Sequence, residues 1–244
     1  MNRPLFFLGV HKPSMAAKVE RAMLSVNALE GRRSDFVAND WILDSGAFTR
    51  ITTGRGHMPI ADYAKAANRW QFCGNLLAVV SQDWMCEPFV LNLTGSTVAQ
   101  HQRWTIERYD ALRPLVGPYL LPVIQGYDPA EYAFHTLDYG NRLSSGAWVG
   151  VGSVCKRNAS PWRVAAVLEA IHSVRPDLRL HGFGLKQTAL RNEAVASRLY
   201  SCDSLAWSFA ARRQGRNAND VREGLRYAER INSAPVQQEL RCAT

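Results

Sequence analysis

Three aspartates in this sequence stand where groups that break bonds are often found, each at the edge of a short apolar run: Asp44 after WIL, Asp83 after LLAVVSQ, and Asp203 before SLAW. Carboxylates held at such places can act as nucleophiles or move protons during bond cleavage. Polar neighbours recur at comparable positions. Ser45 and Gly46 follow Asp44, Gln82 precedes Asp83, Gln125 and Gly126 close another run, and Gly152 and Gly184 close two more. An amide or a backbone N–H placed there can read the hydrogen-bonding edge of a bound molecule. Taken singly, each Asp also fits as a helix cap or a loop residue. What sets them apart is their joint recurrence beside successive runs, and the position of Asp203 between Cys202 and the apolar Leu205, Ala206 and Trp207.

The elements that would position these groups follow from the hydrophobic pattern. Short runs rich in Val, Leu, Ile and Trp alternate with stretches of helical spacing, as in parallel strands joined by helices. Strands are predicted at residues 5–10, 23–27, 41–44, 76–81, 119–125, 148–152, 180–183 and 204–207. Eight such units predict an α/β fold, a (β/α)8 barrel of TIM type, whose active site gathers at the C-terminal strand ends. Two helices show the caps. Ser160 and Pro161 open one with Ala165, Leu168, Ile171 and Val174 on its inner face, and Asn219 or Asp220 opens a last one with Val221, Leu225, Ala228 and Ile231 inward and Arg222, Arg226 and Arg230 outward. The segment 23–27 is short enough to continue a helix begun near Met15, and an open doubly wound sheet is then the alternative. No Pro-, Gly- or Ser-rich divider and no fixed-period repeat splits the 244 residues, so a single domain over 1–244 is expected, with about the last twelve residues as a flexible tail.

The formal net charge is +8, and only five of the 29 basic residues are Lys. Guanidinium forks match phosphate geometry, so this balance favours an anionic partner such as nucleic acid, although a basic proteome produces the same excess. Cys73, Cys86, Cys155, Cys202 and Cys242 form neither a C-x-x-C pair nor an evenly spaced framework, and reduced thiols are expected. The N-terminal apolar run is too short for a signal peptide, and no window is long enough for a membrane span. A cytoplasmic protein with no membrane partner is the expectation.

Five segments carry a resemblance to a known family. DSGAF at 44–48 resembles the DSGGF signature of the tRNA-guanine transglycosylases, PVIQG at 122–126 their QGG strand end, VGVGS at 149–153 their Gly-Gly strand, HGFG at 181–184 their MGVG, and YSCDS at 200–204 the segment bearing their nucleophilic Asp. The order along the chain agrees, and the resemblance spans residues 41–213. DSGAF, GVGSVCKR and the CDS-x-AW form bring the match closer to the DNA-modifying branch, the 7-deazaguanine DNA transglycosylases of phages and bacteria.

The resemblance implies exchange of guanine in DNA for a 7-deazaguanine of the preQ0 type. Retained configuration requires two displacements, the logic of retaining glycosidases. By carry-over Asp203 is the nucleophile that takes the sugar at C1′, and Asp44 is the acid/base. Asp83 would accept from guanine N1–H and the N2 amino group, Gln125 would reach O6, and backbone N–H groups near Gly152 would complete the contact. Phe48 would stack on the purine, though it also reads as a barrel-mouth core aromatic. Ser45, Gly126, His181 and Gly182 complete the implied substrate-binding set. Lys156, Arg157, Arg212, Arg213 and Arg216 are candidates for phosphate contact, although such runs also occur as solvated faces. The target base has to leave the stack. The implied partners are DNA and a free 7-deazaguanine base; no cofactor is called for, and accessory proteins or a homodimer stay open.

The sequence departs from the tRNA enzymes in several places. They carry a zinc site of three Cys and a His downstream of the nucleophile, whereas only Cys242 follows Cys202 here and no His follows His181, so no metal is expected and a DNA substrate gains over tRNA. Lys156 and Arg157 replace an acidic residue after the Gly-Gly strand, and His181 replaces a Met. Three other readings compete: zinc-free tRNA-guanine exchange, a non-catalytic DNA-binding accessory barrel, and an unrelated barrel enzyme for a small phosphorylated substrate.

Overall fold

A computed structural model of the chain describes residues 3–235. Its strands are β1 (Leu5–Val10), β2 (Arg21–Ser25), β3 (Asp40–Asp44), β4 (Asn75–Val80), β5 (Leu120–Leu121), β6 (Val123–Ile124), β7 (Trp148–Val151), β8 (Arg179–Gly182) and β9 (Ser201–Ser204). All pair in parallel, in the order β5-β4-β3-β2-β1-β9-β8-β7-β6. The predicted strand 119–125 is therefore two pieces. Pro122 has no N–H to give to a ladder and interrupts it. β5 pairs with β4 and β6 with β7, so the two ends of the sheet are consecutive pieces of one strand and the ring closes, but for that break, into a TIM-type barrel. Across the gap the Pro122 carbonyl still accepts from Gly150 N–H at 2.8 Å, and the Tyr139 hydroxyl donates to the Val123 carbonyl at 2.9 Å.

Two strand predictions need correction. β2 is Arg21–Ser25 rather than 23–27, because Val26–Leu29 curls into a 3-10 turn at whose start Ser25 Oγ accepts from Asn27 N–H at 3.3 Å. Since β2 lies between β1 and β3, the doubly wound alternative falls. The last strand is Ser201–Ser204, not 204–207: its short polar residues pair with Leu5 to Leu8, while Trp207 belongs to the helix Ala206–Arg213 and donates from Nε1 to the Gly9 carbonyl at 2.8 Å.

The helices shift less. Pro161–Val174 starts at the predicted Pro, but its buried face is Val164, Val167, Leu168 and Ile171, with Ala165 and Val174 only half-buried, and the Ser160 side chain makes no capping bond. Val221–Ser233 is capped by Asp220, whose Oδ1 accepts from Arg222 N–H at 3.0 Å. It packs through Glu223, Gly224 and Tyr227, and Leu225 is exposed, because Gly224 lets Leu8 and Trp207 approach where a side chain would collide. Arg222, Arg226 and Arg230 face outward as expected. The expected tail falls outside the described residues, apart from 233–235. Among the described residues no helix is long and apolar enough to cross a membrane.

Alternation along the strands sorts the side chains into two layers. Leu8, Leu24, Trp41, Leu43, Ile124, Val149 and Leu180 face outward into the core under the helices. Phe7, Met23, Ile42, Ala78, Val80, Leu121 and Val123 face inward and plug the barrel. One step further along each strand, two residues on, the chain places Gly9, Ser25, Asp44, Gln125, Gly152, Phe183 and Asp203 above that plug.

Candidate active site

Those inward residues line one cavity of about 240 Å³, joined from beyond the strand ends by Ser45, Asp83, Glu87 and Ser153 in loops and by Phe48 in the helix Ala47–Thr52. Asp44 and Asp203 share it. Two strands, β1 and β2, separate them around the ring, with Asp203 in register with Phe7 and Asp44 with Ser25.

The turn after β3 holds Asp44. Its Oδ2 accepts from Gly46 N–H at 3.0 Å, while Gly46, at φ +67°, gives its carbonyl to Asn27 Nδ2–H at 3.2 Å. A Cβ on Gly46 would lie 2.3 Å from that amide nitrogen, so the Gly of DSG is required twice, by conformation and by space. Burial above the apolar plug, and then the negative charge of Asp203, push the Asp44 carboxyl up from 3.8 to about 6, against the Gly46 N–H and a Ser25 hydrogen bond that pull it down.

Asp203 meets donors. Gly184 N–H reaches its Oδ1 at 3.0 Å, and His181 Nε2 stands 3.4 Å from the same oxygen. Trp148 Nε1–H donates to Ser201 Oγ at 2.8 Å, and His181 Nδ1 lies 2.9 Å from that oxygen. Since Trp can only donate, the Ser201 proton is free for His181 Nδ1, which assigns the ring N–H to Nε2, toward Asp203.

The loop carrying Asp83 is pinned from the helix Val98–Val116, itself opened by the Thr97–Gln100 capping box. On one face of that helix His101 Nδ1 contacts the Met85 carbonyl at 2.7 Å, Thr105 Oγ1 accepts from Trp84 N–H at 2.9 Å, and Arg108 donates to Gln82 Oε1 at 2.6 Å. Gln82 thus points away from the cavity and Asp83 into it. Gln125 Nε2 donates to Asp83 Oδ2, and burial pushes the Asp83 carboxyl up from 3.8 to about 7. Ser153 closes the chain of contacts: it is the one non-Gly residue with positive φ among the described residues, at +54°. Its hydroxyl accepts from Cys86 N–H at 3.0 Å and faces two acceptors, Gln125 Oε1 at 2.7 Å and Glu87 Oε2 at 2.8 Å. One hydroxyl proton cannot serve both. A protonated Asp83 satisfies every group if the Gln125 amide is turned over, so that Asp83 O–H donates to Oε1, Nε2–H to Ser153, and Ser153 O–H to Glu87.

The other expected site residues divide. Phe48 is 42 % exposed at the rim, where Lys156 Nζ lies 5.6 Å from its ring centroid. Gly152 lines the cavity because a Cβ there would stand 2.1 Å from Gln125 Nε2, but its own N–H is spent on the Ile124 carbonyl at 3.0 Å. Gly126, His181 and Gly182 do not line the cavity. Gly126 makes room for Tyr132, Gly182 for Leu185, and His181 is fully buried behind Asp203. Lys156 and Arg157 border an adjoining groove. Of the Arg run, Arg216 is held by Glu223 at 3.1 Å, Arg213 stands 6.0 Å from the Phe209 ring centroid, and Arg212 is near enough to His11 to help lower its pKa; none lines the cavity. Sequence reasoning missed Ser25, Glu87 and Ser153. Ser25 was findable, two residues beyond an inward Met23; Glu87 and Ser153 lie in loops without a period.

Three aspartates and Glu87 around a cavity below the roughly 300–1,000 Å³ of drug-sized sites suit a single flat base better than a whole nucleotide. Among curated proteins no relative matches the chain. The family model DpdA, DeoxyPurine in DNA protein A, matches residues 1–232. With nearly the whole barrel covered by that match, the chain belongs to the DpdA family, the 7-deazaguanine transglycosylases of DNA.

Proposed function

We propose that this barrel replaces guanine in DNA with a preQ0-type 7-deazaguanine through a covalent aspartyl-sugar intermediate, with Asp203 as nucleophile and Asp44 as acid and base. The observation that carries the reading is the placement of both carboxyl groups on one base-sized cavity with Asp83 and Gln125 beside them. Gly184 N–H occupies Oδ1 of Asp203 and His181 Nε2 stands 3.4 Å from it, which leaves Oδ2 to attack C1′. The C1′–N9 bond breaks, its electron pair departs with guanine, and protonated Asp44 supplies a proton to the leaving base. In the second displacement Asp44 takes the N9 proton of the incoming deazaguanine, N9 attacks C1′, and the bond to Asp203 breaks with inversion, restoring the original configuration. A group titrating near 6 can do both jobs near neutrality.

Ionised Asp83 accepts from N1–H and the N2 amino group, and Gln125 turns its amide to O6. The backbone donor comes from beyond Gly152, whose N–H belongs to the ladder. Phe48 covers the purine face at the rim, and Ser45 lines the same cavity.

The test is nucleoside mass spectrometry of DNA incubated with enzyme and a 7-deazaguanine base, run beside tRNA. The reading expects the deazaguanine nucleoside in DNA, and loss of both exchange and covalent DNA adduct in Asp203→Asn; label in tRNA alone, or full exchange by that variant, overturns it.

A further inference from the structure

Beside the catalytic cavity lies a second groove of about 530 Å³ that shares the Glu87 and Ser153 wall with it. It runs between the start of the helix Pro129–Tyr139 and the start of the helix Pro161–Val174. Its lining combines two aromatic rings open to solvent with three cations. Tyr127 is 39 % and Trp162 59 % exposed. Arg157 lies over the Tyr127 ring at 4.9 Å and Arg163 over the Trp162 ring at 5.1 Å. Lys156 sits where the two cavities meet, its ammonium 5.6 Å from the Phe48 ring centroid and 5.9 Å from that of Phe89. None of the three cations is in an ion pair among the described residues. Two carboxylates also line it: Asp128 at the start of the helix Pro129–Tyr139, and Glu87, which accepts from the Ser153 hydroxyl at 2.8 Å.

Exposed aromatic faces next to unpaired cations are what an unpaired nucleic-acid strand uses, bases on the rings and phosphates on the charges. A paired base cannot present its face to a side chain, and a groove that shares a wall with the cavity is placed to receive what is covalently next to the base inside it. We propose that the groove binds the nucleotide adjoining the exchanged guanine in an unpaired DNA strand, with its base stacked on Trp162 and its phosphate between Lys156 and Arg163. This rests on the functional reading above. It adds that the strand is opened on at least one side of the target, and that recognition there tolerates any base, since every base has a face to stack.

The test uses a single-stranded oligodeoxynucleotide with one guanine and 2-aminopurine as its neighbour on either side. Trp162→Ala is expected to weaken binding about tenfold, with Trp162→Phe recovering most of it. 2-Aminopurine on one side of the guanine should be quenched by the native protein and released in Trp162→Ala. Arg163→Gln should lower the slope of log K against log salt by about one. Native affinity in both variants, or 2-aminopurine signals that ignore Trp162, overturns the proposal. Labelled deazaguanine incorporation by the native protein, measured on the same oligonucleotide, separates the two claims. Exchange with variants that bind normally defeats the groove alone; binding that depends on Trp162 without any exchange defeats the catalytic reading alone.

Discussion

Asp44→Asn should make this protein more stable while removing its activity, and the size of the gain can be worked from the site. Asp44 has its carboxyl raised from 3.8 to about 6, chiefly by burial and next by Asp203. The folded state therefore holds the Asp44 proton more tightly than the unfolded chain does. Stability from this group is complete below about pH 4 and is lost as pH rises through about 6. At roughly 1.4 kcal/mol per pKa unit the loss amounts to about 3 kcal/mol, and water reaching Asp44 through the cavity trims that to about 2 kcal/mol. An Asn of the same shape keeps an oxygen for Gly46 N–H and carries no charge, so it escapes the loss. Urea unfolding followed by tryptophan fluorescence should show the variant about 2 kcal/mol more stable at pH 8 and nearly equal to the native protein at pH 4, with a melting point at pH 8 higher by roughly 4–8 °C. A variant no more stable at pH 8, or equally more stable at both pH values, would refute the reasoning.

Asp83 supplies a second pH effect of opposite consequence for binding: because its carboxyl titrates near 7, free guanine should bind more tightly as pH rises from 6 to 8, measured by calorimetry in Asp44→Asn so that only one site titrates, and a flat profile would rule out Asp83 as the acceptor. Gly152→Ala should drive Gln125 off Asp83, since the new methyl would stand 2.1 Å from Nε2; about 1–3 kcal/mol of stability should go with it, and the KM for the base should rise while the DNA affinity holds. His181→Phe should lower kcat with the KM for the base unchanged, with partial recovery in His181→Gln, whose amide can still reach Asp203; native kcat in His181→Phe would leave His181 a packing residue only.

The strand ends were legible because alternation and the C-terminal-end rule need only local pattern. Asp44, Gln125 and Gly152 reach the cavity for that reason, whereas Asp83 reaches it from the loop beyond β4, and Asp203, expected ahead of a strand at 204–207, lies near the end of β9 instead. His181 was misplaced by one step of the same alternation: it lies on the inner face of β8 two residues before Phe183, which is the residue that reaches the cavity. The last strand was misread because Ser201 to Ser204 lacks an apolar residue larger than Cys, and strands of this barrel are defined by their neighbours rather than by their own composition. Glu87 and Ser153 could not be found at all. Their meeting joins residues 66 apart through one hydroxyl, and no local pattern encodes that contact.

The proposed reaction asks three aspartates on one cavity to do three different things, and their surroundings differ accordingly. All stand above the same apolar plug, and burial there raises the carboxyls of Asp44 and Asp83. What differs is the donors that reach them. Asp203 takes a backbone N–H at 3.0 Å on Oδ1, with His181 Nε2 3.4 Å from the same oxygen. Asp44 has the Gly46 N–H and a Ser25 hydroxyl and stays near 6, able to give and take a proton. Asp83 faces an amide that can turn over, so its protonation state is tied to the orientation of Gln125 and can change when a base replaces that contact. Environments that separate like groups in this way assign acid, base and nucleophile without any change of residue type. The pinning contacts from His101, Thr105 and Arg108 then matter as much as the carboxylates, because a looser loop would let water reach Asp83 and erase the difference.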